Sequence, residues 1–312
     1  MLLGKRRLIG LAAGTAIDVG HRLWQRLRGA NQQWASFVDQ SQQLLERARP
    51  LLRLPTSPNQ PPEVLTDGSG LRCPISGQVW PYRQGILHLL EEKPQKTLIQ
   101  RVLDTPVTAW TYDHFRGWIT KALATPDFPV EVAHIQRTLQ VQPGDVVLDL
   151  ACGQGNFTVE WAKRVGATGL VIGLDISLPM LERAAYHVSR WELDNVLLIH
   201  GDAQVLPFAD GAFTKINCSG GFHQIPDLPQ ALREAARVST VGAVLTASTF
   251  AEQPADPHAK IKGWLHRRLN LHFVPVEWLD KQLARSGYGA QGWSLPGGWF
   301  GYTAAKRKKR RS

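Results

Sequence analysis

Four residues at fixed spacing carry the first chemical signal in this chain: Asp149, Gly153, Gly155 and Asp175. The acids lie at the ends of two apolar runs, Val146–Leu150 and Leu170–Asp175, and the glycines fall in the turn between them. Beyond that turn a helix can restart at Asn156 or Phe157. Glycine at a strand–helix turn lets the backbone approach a ligand closely, because no Cβ stands in the way. An acid closing the second strand of a βαβ unit accepts hydrogen bonds from ribose hydroxyls. Asp149, beside the turn, suits a positively charged group, held directly or through water. A dinucleotide pyrophosphate would be poorly served by an acid there, and Thr158 stands where G-x-G-x-x-G needs its third glycine. The spacing therefore fits the two ends of one nucleoside ligand.

Strands and helices must alternate to hold these residues in place. The apolar and β-branched runs predict strands at 146–150, 170–175, 196–200, 214–219 and 243–249. Helices are expected at 157–165, 178–191, 228–238 and 276–286, with an antiparallel pair over 293–305. Such alternation implies a parallel sheet with helices on both faces, and ligand contacts at the carboxyl ends of the strands. Residues 98–140 read as helical, and Tyr112, His114, Phe115 and Trp118 would cover the site or fill the core.

The turn VLDLACGQGNFT resembles the first motif of the class I S-adenosylmethionine-dependent methyltransferases. Gly173 to Ser177 resembles their ribose-binding acid and its neighbours. Gly201-Asp202-Ala203 followed by Leu206-Pro207-Phe208 resembles their adenine-contacting turn, and Phe213 to Asp227 resembles their fourth strand and acceptor-facing loop. The resemblance spans about residues 105 to 305, lies nearest the ubiquinone/menaquinone-type branch, and concerns cofactor and fold rather than substrate. It implies an α/β fold, a doubly wound, seven-stranded, mostly parallel Rossmann-like sheet, with S-adenosylmethionine as cofactor. Carried over residue by residue, it assigns Asp149, Ala151, Gly153, Gly155, Asp175 and Ile176 to the cofactor. Met180, Asp202, Ala203, Cys218 and Ser219 join them. His223, just past the fourth strand, is the best-placed general base, ahead of His114 and Asp113. Thr214 replaces a commonly acidic residue, and Ser219-Gly220-Gly221 replaces a bulkier loop, which would leave room for a large or flat acceptor.

Composition frames this core. The chain has 312 residues, 43% of them apolar, and a net charge of +10. Residues 1–54 hold nine Lys/Arg against three acids, and Lys306–Arg311 adds six more cations, so the body between is slightly acidic. Three cysteines without paired spacing argue against a disulfide framework and for a reducing, cytoplasmic setting. The segment 1–54 is a basic, amphipathic helical extension, packed on the body or lying at a membrane surface. Its apolar run is too short to span a bilayer. Residues 55–97 hold a Pro-rich, solvated linker and a small hairpin unit. There CPISG resembles a zinc knuckle that has lost its second cysteine, so no metal is expected. The ribbon should be held by Ile75, Val79, Trp80, Tyr82, Ile86 and Leu87. The methyltransferase domain covers 98–305, with a basic tail at 306–312. The acceptor expected is small or lipophilic: quinone-, isoprenoid- or polyketide-like. Two alternatives stand beside it: RNA methylation using the basic tail, and a non-catalytic binding protein on the same fold.

Overall fold

The structure, a computed structural model, describes residues 32–54, 59–90, 105, 127–252, 274–295 and 299–307. The N-terminal apolar run and the aromatic cluster at 110–118 lie outside them, as does the end of the basic tail.

Three consecutive runs build the centre: β5 (Val146–Leu150), β6 (Leu170–Asp175) and β7 (Val196–His200). Every residue of β6 is buried, which a strand covered on both faces requires. β8 (Phe213–Ser219) and β9 (Ser239–Glu252) continue the sheet in parallel. β11 (Tyr288–Leu295) and β12 (Trp299–Lys306) close it, with β12 antiparallel to β9 and β11 antiparallel to β12. These strands run in the order β7-β6-β5-β8-β9-β12-β11 and form the mostly parallel core of a larger sheet than the seven strands expected.

The sheet does not stop at β7. β1 (Glu63–Val64), β2 (Gly70–Arg72), β3 (Val79–Arg83) and β4 (Ile86–His88) form an antiparallel meander. Its last strand pairs parallel with β7, Ile86 opposite Leu198. With β10 (Val274–Pro275) beside β9, the sheet reaches twelve strands among the described residues. The hairpin unit is thus the covered edge of the main sheet rather than a separate ribbon. Trp80, Ile86 and Leu87 are buried as expected, whereas Ile75 and Val79 are exposed, at 68% and 50%. At the CPISG turn, Ser76 N–H donates to the buried Cys73 Sγ at 3.3 Å, and Gly77 N–H to Cys73 O at 3.0 Å.

Side-chain alternation sorts the helices onto two faces. Val147, Val171, Val196 and Leu198 face α2 (Phe128–Leu139), α3 (Asn156–Val165) and α4 (Leu178–Arg190), packing on Ile135, Trp161, Ala162 and Leu181. Leu148, Ile172, Leu197 and Ile216 face the other layer. That layer holds α1 (Gln32–Ala48), α5 (Leu228–Val238) and α6 (Val276–Arg285), with Leu45, Leu232 and Leu283 buried. Asp227 caps α5 by accepting the Gln230 N–H at 2.9 Å, with Pro229 in its first turn.

The end of α1 is fastened to the body. Leu44, Leu45 and Ala48 are buried, Leu52 bridges Phe208, and Arg47 donates to Gly169 O at 2.5 Å. Leu52 and Leu54, the last apolar residues of the N-terminal extension, are also buried. At the other end Lys306 belongs to β12, and Arg307 N–H donates to Gly287 O at 2.9 Å, so the first two residues of the basic tail are tied to the sheet. Among the described residues, no helix is long and apolar enough to cross a membrane, and no cluster of three or more His, Cys, Asp or Glu is placed to hold a metal.

Candidate active site

The glycine turn sits at the carboxyl ends of β5 and β6, and its backbone is hooked to the second of them. Cys152 N–H donates to Leu174 O at 3.1 Å, and Gly153 N–H to Asp175 Oδ2 at 2.7 Å. The other Asp175 oxygen accepts Ser177 N–H at 2.8 Å. Gly153 has φ +55 and nothing within 4 Å of where a Cβ would stand, so the turn opens onto free space. Ala151 also adopts a left-handed φ of +54, a conformation costly to a residue with a Cβ.

That space is a cavity of about 200 Å³. Of the residues assigned from the sequence, Ala151, Gly153, Asp175, Ile176, Met180, Asp202, Ala203 and Ser219 line it. They come from the ends of β5, β6, β7 and β8 and the start of α4. A larger groove of about 820 Å³ lies elsewhere, between α1, the β3–β4 turn and α4, and contains none of the glycine turn.

Three assigned positions do not reach the cavity. Asp149 is 1% exposed and both its oxygens are taken: Oδ2 accepts Thr158 Oγ1–H at 2.5 Å, and Oδ1 accepts Asn217 Nδ2–H at 2.8 Å. It ties β5 to α3 and β8 and does not line the cavity. Burial, opposed by these hydrogen bonds, pushes its carboxyl from 3.8 up to about 6. Gly155 is the N-cap of α3 at φ +76; a Cβ there would stand 2.9 Å from Ala184 Cβ, so helix packing demands the glycine. Cys218 is fully buried, because on β8 it points to the α5 face while its neighbour Ser219 points to the α3 face. Burial raises the thiols of Cys152 and Cys218 well above their usual value, which favours the protonated form of both.

His223 also departs from expectation. It lies in a short 3₁₀ turn, Phe222–Gln224, is 6% exposed, and places Nδ1 3.2 Å from Thr249 Oγ1 on β9. Its neighbours Gly221 and Gln224 line the cavity, but His223 does not. The alternative bases, Asp113 and His114, fall outside the described residues.

The loop beside Asp202 is held from below. Arg237 of α5 donates to Leu206 O at 2.8 Å and Phe208 O at 2.7 Å, and pairs with Glu234 at 2.8 Å. Glu234 in turn accepts Leu206 N–H at 2.8 Å. Sequence reasoning missed Gln154, Asn156, Phe157, Gln224, Ile225 and Pro226 in the cavity wall. It also missed a polar ladder under the floor: Asn217, Thr246 and Ser248, all fully buried. The signal for the ladder was present, since polar residues at alternate positions of otherwise apolar strands, Asn217/Ser219 and Thr246/Ser248, mark one sheet face.

The donor set fits a nucleoside-borne amino acid. Asp175 offers carboxylate oxygens to vicinal hydroxyls, each oxygen able to accept more than one hydrogen bond. Ile176, Met180 and Ala203 supply apolar walls for a purine, and the open backbone at Gly153 admits a chain where a Cβ would intrude.

Comparison with known proteins agrees with this architecture. A family model described as a methyltransferase domain matches residues 147–242. The demethylmenaquinone methyltransferase of Staphylococcus epidermidis is 38% identical over 112 residues, 36% of this chain and 46% of that protein. That of Listeria monocytogenes serotype 4a is 38% identical over 128 residues, 41% of this chain and 52% of the relative. The match thus spans about half the length of either relative. Among solved structures, a phosphoethanolamine N-methyltransferase 2 from Haemonchus contortus shares the fold at TM-score 0.57 and 14% identity, over 68% of this chain and 59% of that one. The [4+2]-cyclase SpnF shares it at TM-score 0.52 and 16% identity, over 68% and 97%. The matched segment carries the glycine turn and the strands around it, so over residues 147–242 this chain is similar to methyltransferase domains.

Proposed function

We propose that this chain transfers a methyl group from S-adenosylmethionine to a small, lipophilic, quinone-like acceptor. One observation carries the proposal: a single cavity joins Asp175 and Asp202 on one side to the small-residue wall Ser219-Gly220-Gly221 on the other. The similarity to demethylmenaquinone methyltransferases over the same segment supports the choice of acceptor.

When bound, the donor supplies a sulfonium-activated methyl group. The chain's own residues then have three tasks. Asp175 accepts from the ribose hydroxyls, and its hydrogen bonds to Gly153 and Ser177 keep it aimed. The Asp202–Ala203 turn, braced by Arg237 through the following residues, flanks the base. Gly220 and Gly221 leave the opposite wall flat. A Cβ on Gly221 would stand 2.8 Å from both Ala151 Cβ and Cys218 Sγ, so the wall cannot thicken there without displacing the glycine turn. Alignment and exclusion of water can together supply about 7–11 kcal/mol of the barrier reduction. Residues 1–54, with six net positive charges, would bring the protein to anionic lipid, where a prenylated acceptor resides.

Incubation of the protein with methyl-labelled S-adenosylmethionine and fractionated cell extract tests the proposal. Label is expected in the lipid fraction. Label in RNA, or in neither fraction, would overturn it.

A further inference from the structure

The ladder beneath the cavity fixes the direction of every hydrogen bond in it, and that direction reaches the cavity wall at Ser219. Asp149, as a carboxylate, only accepts, so the group facing its Oδ1 at 2.8 Å must be the amide nitrogen of Asn217. That settles the orientation of the amide and turns Asn217 Oδ1 away from Asp149. Two hydroxyls meet this oxygen: Ser219 Oγ at 3.1 Å and Thr246 Oγ1 at 3.2 Å. An amide oxygen has no proton to give, so both hydroxyls donate to it. Asn217 and Thr246 are fully buried and Asp149 is 1% exposed. No water competes at the base of the ladder.

Ser219 is therefore not an ordinary serine. Its one proton is committed to Asn217, and what it presents to the cavity is an oxygen with lone pairs. Neighbouring Ser248, opposite it on β9, spends its proton in the same manner on Glu131 Oε1 at 2.9 Å, but is fully buried and does not line the cavity. Ser219 is the member of the ladder that does.

We propose that Ser219 is a hydrogen-bond acceptor of fixed direction at the transfer end of the cavity, positioned by Asn217 and Asp149 to hold an N–H or O–H donor of the bound ligands. Carbonyl, ether and carboxylate groups are disfavoured at that spot, because two lone pairs would face each other. The donor is either the α-ammonium of the cofactor or a hydroxyl of the methyl acceptor. The proposal rests on the methyltransferase activity inferred above.

Calorimetry on the full chain tests it with three probes: S-adenosylhomocysteine, 5′-methylthioadenosine, which lacks the amino-acid end, and 1,4-dihydroxynaphthalene added to the S-adenosylhomocysteine complex. The variants are Ser219→Ala, which removes the oxygen, and Ser219→Thr, which keeps it. If the ammonium is the donor, Ser219→Ala weakens S-adenosylhomocysteine by about fivefold to thirtyfold and leaves 5′-methylthioadenosine unchanged. If the acceptor hydroxyl is the donor, the loss moves to 1,4-dihydroxynaphthalene. Either pattern, with Ser219→Thr close to the parent, supports the proposal. Binding of all three probes to Ser219→Ala within twofold of the parent would overturn it. A parent protein that binds none of them would overturn the methyltransferase activity and this role together.

Discussion

The two sides of the cavity are built by different means. On the Asp175 side, backbone does the work: the Gly153 N–H and the Ser177 N–H orient one carboxylate. The adjoining loop is pinned by Arg237 through main-chain carbonyls. On the Ser219 side, the wall is set by side chains of four buried residues on β5, α3, β8 and β9, joined by directional hydrogen bonds. Backbone recognition tolerates changes of side chain but ties the site to one ligand shape. Side-chain ladders can be rewritten residue by residue, so acceptor choice is expected to reside there while the cofactor side stays constant.

The largest expected effect falls on the backbone-built side. Asp175→Ala removes the ribose acceptor and leaves Gly153 N–H and Ser177 N–H without their carboxylate. S-adenosylmethionine affinity should fall on the order of 100-fold by calorimetry. A fall of less than threefold would mean that the ribose is held elsewhere and would break the comparison.

An intermediate effect belongs to the ladder. Burial lifts the Asp149 carboxyl from 3.8 to about 6, so the folded protein holds this proton more tightly than the unfolded chain. The contribution of Asp149 to stability is therefore greatest below its unfolded value and is lost as pH rises through about 6. Urea unfolding of the parent and of Asp149→Asn should show the difference between them changing by up to about 3 kcal/mol between roughly pH 4 and pH 7. A pH-independent difference would place Asp149 in contact with water.

The smallest effect is expected at His223. Its ring is packed against Thr249 and does not line the cavity. His223→Asn should reduce methyl transfer by less than threefold at any pH, since no proton passes through it. A loss on the order of 100-fold, with loss of the pH dependence of kcat, would restore His223 as the base.

How far the sequence foretold this arrangement depended on the range of the interactions. β5, β6 and β7 begin and end where the apolar runs do, because a strand buried on both faces must be apolar at most of its positions. The glycine turn and Asp175 were visible because their geometry is local. The attachment of β4 to β7 joins residues more than a hundred positions apart, and nothing in the meander announces its partner. Cys218 and Ser219 looked equivalent as neighbours, yet adjacent residues of a strand face opposite sides, and only one of them meets the ligand space. Asp149 appeared to be a ligand group because its partners, Thr158 and Asn217, lie on other elements. The position of His223 after the fourth strand points to a base, but position alone does not show which way a ring turns.

A crystal structure of the full chain with S-adenosylhomocysteine tests the central claim most directly. The ribose hydroxyls are expected within hydrogen-bond distance of the Asp175 carboxylate, with the base beside Asp202 and Ala203 and the sulfur toward Ser219. Ligand seated instead in the groove between α1 and α4, or a ribose that does not touch Asp175, would contradict it.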